Sequence, residues 1–246
     1  MELDAITLAL AACIFVAATL YSSVGHAGAS AYIALMALFG IEAAVMRPTA
    51  LALNVIVASL ASFRFIRAGF FRWRALWPFL VTALPMAYLG GTIHLPSDVY
   101  RPLVGLVLWL SAARLLWPRP LKVEQESADP PLHFALPAGA AIGLLAGLTG
   151  TGGGIFLSPL LLFMAWAPTR TASGVAAVFV LANSLSGLAG QAASLGSLPA
   201  ELPLFAAAAL AGGLLGTTMG IRLPQRAILT ALGVVLLIAG AKLVGL

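Results

Sequence analysis

The chain predicts an all-α polytopic membrane protein made of two inverted-topology repeats of about five hydrophobic segments each, with a Gly-rich helix break in each half. Three observations carry that expectation. Hydrophobic residues fill 61% of the 246 positions and charged residues 9%, and the mean hydropathy is +1.05, more apolar surface than a soluble domain buries. A series of apolar stretches meets or approaches the roughly 20 residues that a helical span requires. A small, polar interruption then occurs twice, about 125 residues apart, at matching places in the two halves.

In the first half the apolar stretches run from Leu3 to Leu20, Ala29 to Met46, Pro48 to Ile66, Leu76 to Leu95 and Val99 to Trp117. In the second half they run from Phe134 to Leu148, Ile155 to Ala167, Thr171 to Leu195, Ala200 to Ile221 and Arg226 to Leu246. Glu2 and Asp4 stand where a secretory signal would carry basic residues, so the opening stretch reads as a retained first helix. The second members, Ala29 to Met46 and Ile155 to Ala167, are open to two readings, a full crossing or a re-entrant dip. Between the halves, Pro118, Pro120, Pro130 and Pro131 with five charged side chains mark a linker. The expected division is residues 1–117 as the first membrane repeat, 118–132 as a cytoplasmic linker and 133–246 as the second repeat.

Further echoes reinforce the repeat. Leu89-Gly90-Gly91-Thr92 matches Leu215-Gly216-Thr217-Thr218, and Leu95-Pro96 matches Leu223-Pro224. Ala83, Ala87 and Gly91, like Gly212, Gly216 and Gly220, place small residues four apart, the spacing that lines one helix face and admits a neighbouring backbone. Packing is the expected role of those faces.

Charge orients the halves. Arg64, Arg67, Arg72 and Arg74 crowd one connection without an acid, which places it in the cytoplasm, while its counterpart from Ser194 to Pro199 has no basic residue. Arg222 and Arg226 reverse that bias in the second half. Both chain ends are therefore expected outside and the linker inside, in a multi-pass protein of a bacterial-type inner membrane. The pI near 10.0 follows from loop arginines and does not indicate nucleic acid. A single cysteine, Cys13, excludes an intrachain disulfide or a cysteine-based metal site, and no cofactor is expected.

The breaks carry the chemistry. The first reads Tyr21-Ser22-Ser23-Val24-Gly25-His26-Ala27-Gly28-Ala29-Ser30, and the second reads Gly147-Leu148-Thr149-Gly150-Thr151-Gly152-Gly153-Gly154-Ile155. An interruption in hydrocarbon exposes backbone N–H and C=O groups at several kcal/mol each, roughly, so it must face protein, water or a ligand. The helices restarting at Ser30 and Ile155 would aim free N–H groups and a positive dipole end into the break, which is how helices bind anions. Ser22, Ser23, Gly25, His26, Gly28, Thr149, Gly150, Thr151, Gly152, Gly153 and Gly154 are the expected substrate-binding positions.

Four outlying side chains join them with two readings each. Arg47 and Arg170 either clamp an oxyanion with paired donors or anchor segment ends. Asn54 and Asn183 either touch the ligand or bond between helices. For proton coupling, the acids all lie near segment ends, which leaves His26 as the first candidate and Glu42 behind it.

Other uses of the same residues fail on spacing. The glycine run lacks the third glycine of a dinucleotide fingerprint, and no Gly-Lys-Ser/Thr follows it. Gly-x-Ser-x-Gly is missing too, so an intramembrane enzyme has little support. A passive anion channel lined by the same helix ends stays open as an alternative.

The second break and its surroundings resemble the TauE/SafE sulfite exporter family, also called TSUP. The match runs through Gly150-Thr151-Gly152-Gly153-Gly154-Ile155-Phe156-Leu157-Ser158-Pro159-Leu160, Ala172-Ser173-Gly174 and Asn183-Ser184-Leu185-Ser186-Gly187, and the likeness covers nearly the whole chain. The first half departs, with Gly25-His26-Ala27-Gly28-Ala29 in place of the glycine run. The resemblance implies an inner-membrane secondary transporter, usually an exporter, of sulfur-containing anions such as sulfite, thiosulfate or an organosulfonate. Its expected partners are such a small anion and the lipid bilayer. A carrier for another small oxyanion or carboxylate is the alternative, and the sequence leaves the oligomeric state open.

Overall fold

A computed structural model describes residues 4–23, 27–116, 128–192, 198–219 and 225–245. Among them the chain is helical throughout, without a strand. The first half supplies α1 (Ala5–Ser23), α2 (Ala29–Leu38), α3 (Ala43–Arg67), α4 (Trp73–Thr92) and α5 (Ser97–Leu116). The second supplies α6 (Leu132–Thr149), α7 (Gly154–Phe163), α8 (Thr169–Gly190), α9 (Leu202–Met219) and α10 (Gln225–Val244). Five of them, α1, α3, α4, α6 and α8, are long and apolar enough to cross a membrane.

α2 and α7 are different. Each has 10 residues, and at about 1.5 Å per residue that reaches only about half of a hydrocarbon core about 30 Å thick. Neither crosses by itself. The boundary expected at Met46 and Pro48 is also displaced: α2 stops at Leu38, and Arg47 and Pro48 lie inside α3. The stop is built by Gly40 at φ 79, with Gly40 N–H donating to the Ala37 carbonyl and Ile41 N–H to that of Met36. This is the bonding of a Schellman end, in which glycine takes the left-handed position after the helix. Pro48 is the sixth residue of α3, past the first turn, so its missing N–H leaves the bond to the Ala44 carbonyl unmade while the helix continues through it. α7 is likewise shorter than the sequence suggests, turning at residues 164–167 before Pro168.

Helices pair across the halves. Gly139, Gly143 and Gly147 of α6 lie against the backbone of Phe79, Ala83 and Ala87 of α4, so these two helices run parallel. Gly212 and Gly216 of α9 lie in the same way against Phe15 and Thr19 of α1. α3 and α8 cross in opposite directions, with Leu51 near Gly187 and Asn54 bonded to Ser184. α5 and α10 also oppose one another, Gly105 meeting Gly240 while Gly233 meets Leu116.

Two apolar cores follow from this pairing. One gathers α1, α2, α3, α5, α9 and α10, and the other gathers α4, α6, α7 and α8. α4 has thus gone to the core of the second half, and α9 and α10 to the core of the first. The packing units are not the two lengths of sequence, and the small-residue faces supply the reason, because only a glycine or alanine stripe lets backbones approach this closely. Residue 117 and residues 118–127 of the proposed linker lie outside the described residues; Asp129 beyond them pairs with Arg72 and, at 3.8 Å, with Arg74.

A side chain at Gly143 would fall on the Ala83 backbone. Gly143→Leu should therefore destabilise the α4–α6 contact by about 1–3 kcal/mol or more. Leu106→Ala, at an outward position 52% exposed, should shift stability by less than about 1 kcal/mol. Thermal unfolding of the purified protein in detergent checks both.

Candidate functional site

The second break is formed by three glycines in the left-handed region. Gly150, Gly152 and Gly153 have φ of 84, 74 and 79. Gly150 closes α6 by donating its N–H to the Ala146 carbonyl at 2.9 Å, and Gly153 opens α7, its carbonyl accepting from Phe156 and Leu157. Gly152 is constrained twice over, by its φ and by space. A Cβ there would stand 2.5 Å from Asn54 Nδ2 and 3.0 Å from Ser184 Oγ. Among the described residues the N–H groups of Gly154 and Ile155 have no backbone acceptor, as expected of a first helical turn.

The first break arrives at the same place. Gly28, at φ 102, precedes α2 and accepts from Ala31 and Tyr32, each at 3.0 Å. The Tyr32 hydroxyl donates to the Ala27 carbonyl at 2.8 Å and fixes the approach. Gly28, Ala29 and Ser30 from this side, and Thr151, Gly154 and Ile155 from the other, line one small cavity. Tyr21, Asn54 and Val180 add to its walls. Its volume is about 10 Å³, room for about one water. The starts of two helices from different halves therefore converge on a single small pocket.

A larger space of about 410 Å³ lies outside α4, along Trp73, Trp77 and Leu84. It is apolar, on an outward face, and away from both breaks.

Expected residues divide by position. Gly28, Thr151 and Gly154 line the cavity, as does Asn54, whose Nδ2 donates to Ser184 Oγ at 3.3 Å while Oδ1 has no partner among the described residues. Gly152 touches Asn54, and Gly150 and Gly153 shape the turn behind it. Thr149 is held one step back. Its Oγ1 donates to the Leu145 carbonyl at 2.6 Å and stands 3.0 Å from Thr151 Oγ1, and its own carbonyl accepts from the Tyr100 hydroxyl at 3.1 Å.

Ser22 is buried toward Gly213 and Gly216 of α9, outside the cavity lining, and its hydroxyl has no partner among the described residues. Asn183 is buried in α8 with both amide atoms similarly unpaired. Ser23 ends α1, and Gly25 and His26 lie outside the described residues. Glu42 caps the start of α3, exposed to the surroundings and away from the cavity.

The two arginines have unlike surroundings. Arg47 is only 7% exposed, and its guanidinium donates to three main-chain carbonyls: Nε to Gly147 at 2.8 Å, one terminal nitrogen to Ile93 at 2.9 Å and the other to Gly90. Those carbonyls belong to the C-terminal ends of α4 and α6, where helices leave acceptors unpaired and a cation is favoured. In this conformation Arg47 braces the break rather than facing the cavity. Arg170 lies 5.3 Å over the Phe70 ring at the protein's edge.

Six wall residues, Tyr21, Ala27, Ala29, Ser30, Ile155 and Val180, were not among the expected binding positions, although Ser30 and Ile155 were expected as helix starts. Tyr21 opens the first break in sequence, so its position was a usable signal. Val180 reaches the cavity only through the crossing of α3 and α8, which no local pattern announces.

Long apolar helices and two half-length helices whose starts meet at one small pocket define a multi-pass membrane protein. The chain matches the family described as Sulfite exporter TauE/SafE over residues 10–243 and belongs to that family. It is 42% identical over 247 residues, covering 99% of both chains, to a Sinorhizobium fredii protein named probable membrane transporter protein y4hK. The chain is thus a membrane transporter of that family. No solved structure matches it.

Two variants probe the site's framework. Gly152→Ala adds strain at positive φ and a clash with Asn54, and should reduce transport at least about 10-fold while the protein stays in the membrane. Arg47→Met orphans three carbonyls and should lower stability by roughly 3 kcal/mol or more, measured by unfolding in detergent.

Proposed function

We propose that the protein is a secondary transporter that moves a sulfur-containing anion, such as sulfite or a small organosulfonate, out of the cell across the inner membrane. The observation that carries this reading is the convergence of the α2 and α7 starts on one small cavity. Two helix N-termini together present about one unit of positive partial charge, and Ser30, Thr151, Asn54 and Tyr21 surround it with neutral polar groups. Such a site attracts an oxyanion without the strong ion pair that would trap it.

The family's description as a sulfite exporter supports the substrate class and the direction. The parallel pairing of α1 with α9 and α4 with α6, and the opposed crossing of α3 with α8, support an inverted repeat with one site at its centre. In that arrangement residues 1–117 and 133–246 are the two repeats, with both termini outside and 118–132 cytoplasmic. A cavity of one-water size favours a carrier that opens alternately to either side over a permanently open anion channel.

Uptake of labelled sulfite into sealed proteoliposomes, with and without an imposed pH gradient, tests the proposal. Saturable uptake that exceeds equilibrium under the gradient is expected. Flux that never exceeds equilibrium would make the protein a passive path, and no anion flux would overturn the site reading. His26 is the proposed proton carrier, ahead of Glu42, and His26→Ala should lower transport of a dianion more than of a monoanion. Equal losses for the two charge states would remove that role.

A further inference from the structure

Three tyrosines buried near the breaks have different duties. The hydroxyls of Tyr32 and Tyr100 donate to the carbonyls of Ala27 and Thr149, and so hold the two breaks in shape. Tyr21, 3% exposed and in the last turn of α1, lines the cavity with a hydroxyl that has no partner among the described residues. A buried hydroxyl left unpaired at a cavity wall is costly unless something entering the cavity accepts from it.

The remaining walls leave little slack. A Cβ on Gly152 would approach Val180 Cγ1 to 3.0 Å and Asn54 Nδ2 to 2.5 Å, so the backbone has already come as close as glycine permits. Val180 fills one side with its two methyl groups and packs with the core of α1, α2 and α3. Asn54 is tethered to Ser184. Val180 is the apolar side chain that stands against both Gly152 and Gly154, with Cγ1 toward the first and Cγ2 toward the second, so its volume limits what can approach the start of α7.

We propose that Tyr21 and Val180 are specificity-determining residues of this site, Tyr21 donating its hydroxyl to a ligand oxygen and Val180 restricting the ligand to a compact oxyanion with at most a small substituent. The inference rests on the reading of the site as an oxyanion carrier and narrows its substrate class. The cavity as it stands holds about one water, so it must widen for any oxyanion; sulfite or a one-carbon sulfonate requires the least widening and an aryl sulfonate the most. Tyr21 acts on affinity through a hydrogen bond to a charged acceptor. Val180 acts on size alone.

The test uses full-length protein in proteoliposomes, with sulfite as the transported probe and methanesulfonate and benzenesulfonate as competitors. Wild type, Tyr21→Phe and Val180→Ala are compared, each checked for folding by size-exclusion profile and unfolding midpoint. Tyr21→Phe should raise the half-saturating sulfite concentration about 10-fold or more, the loss expected for one hydrogen bond to a charged group, with maximal rate changed less than about 3-fold. Val180→Ala should make benzenesulfonate an effective competitor where wild type admits only methanesulfonate. Unchanged half-saturation in folded Tyr21→Phe, or benzenesulfonate competing equally well in wild type, overturns the inference while leaving the carrier intact. Wild-type liposomes that take up no sulfite overturn the carrier reading and this inference with it. Should Tyr21→Phe fail to fold, the competitor pattern of Val180→Ala decides.

Discussion

Main-chain groups at a helix end inside hydrocarbon must be met by something, and the whole arrangement follows from how this chain meets them. Its carbonyl ends and amide ends are treated in opposite ways. The carbonyl ends of α4 and α6 are closed by the Arg47 guanidinium, and the end of α2 by Lys242, whose Nζ donates to the Leu38 carbonyl at 2.9 Å. The buried Arg47 and the exposed Lys242 are thus both tied to carbonyl ends. The amide ends of α2 and α7 instead converge on a shared cavity. Negative dipole ends receive fixed positive charge, and the positive dipole ends are left for a partner that comes and goes.

Placing the two amide ends together requires the rest of the fold. α2 and α7 are half-length, so their starts lie within the protein rather than at its faces. α3 and α8 cross behind them, bringing Asn54 and Val180 to the cavity from opposite halves. The exchange of α4 for α9 and α10 ties each core to the other half of the chain, and the cavity draws walls from both halves. Relative movement of the two cores would act directly on it. That geometry suits a carrier, because the same contacts that close the site would have to separate to open it.

Much of this was legible in the sequence and some was hidden for definite physical reasons. Apolar length is a local signal, and it located the helices; of the first break, residues 24–26 lie outside the described residues. The four-residue spacing of Ala83 and Ala87, and of Gly212 and Gly216, marked the faces where α4 meets α6 and α9 meets α1. The division of α2 from α3 was misplaced because Arg47-Pro48 resembles a boundary, whereas Gly40 supplies the actual stop and α3 runs on through Pro48. Arg47 had two readings, anion clamp or segment-end anchor, because residue type does not reveal partners. Its acceptors, Gly90, Ile93 and Gly147, are 43, 46 and 100 residues away. Val180 was invisible for the same reason, as its place depends on a crossing between helices.

The account stands on the two breaks sharing one cavity, and cross-linking tests that directly. In a Cys13→Ala background, Ser30→Cys and Thr151→Cys would be combined, and membranes treated with a short bifunctional thiol reagent. Efficient intramolecular cross-linking, slowed by added sulfite, is the predicted result. Failure of the two thiols to join, while each reacts with a small single-thiol reagent, would contradict the shared site and the transport mechanism built on it.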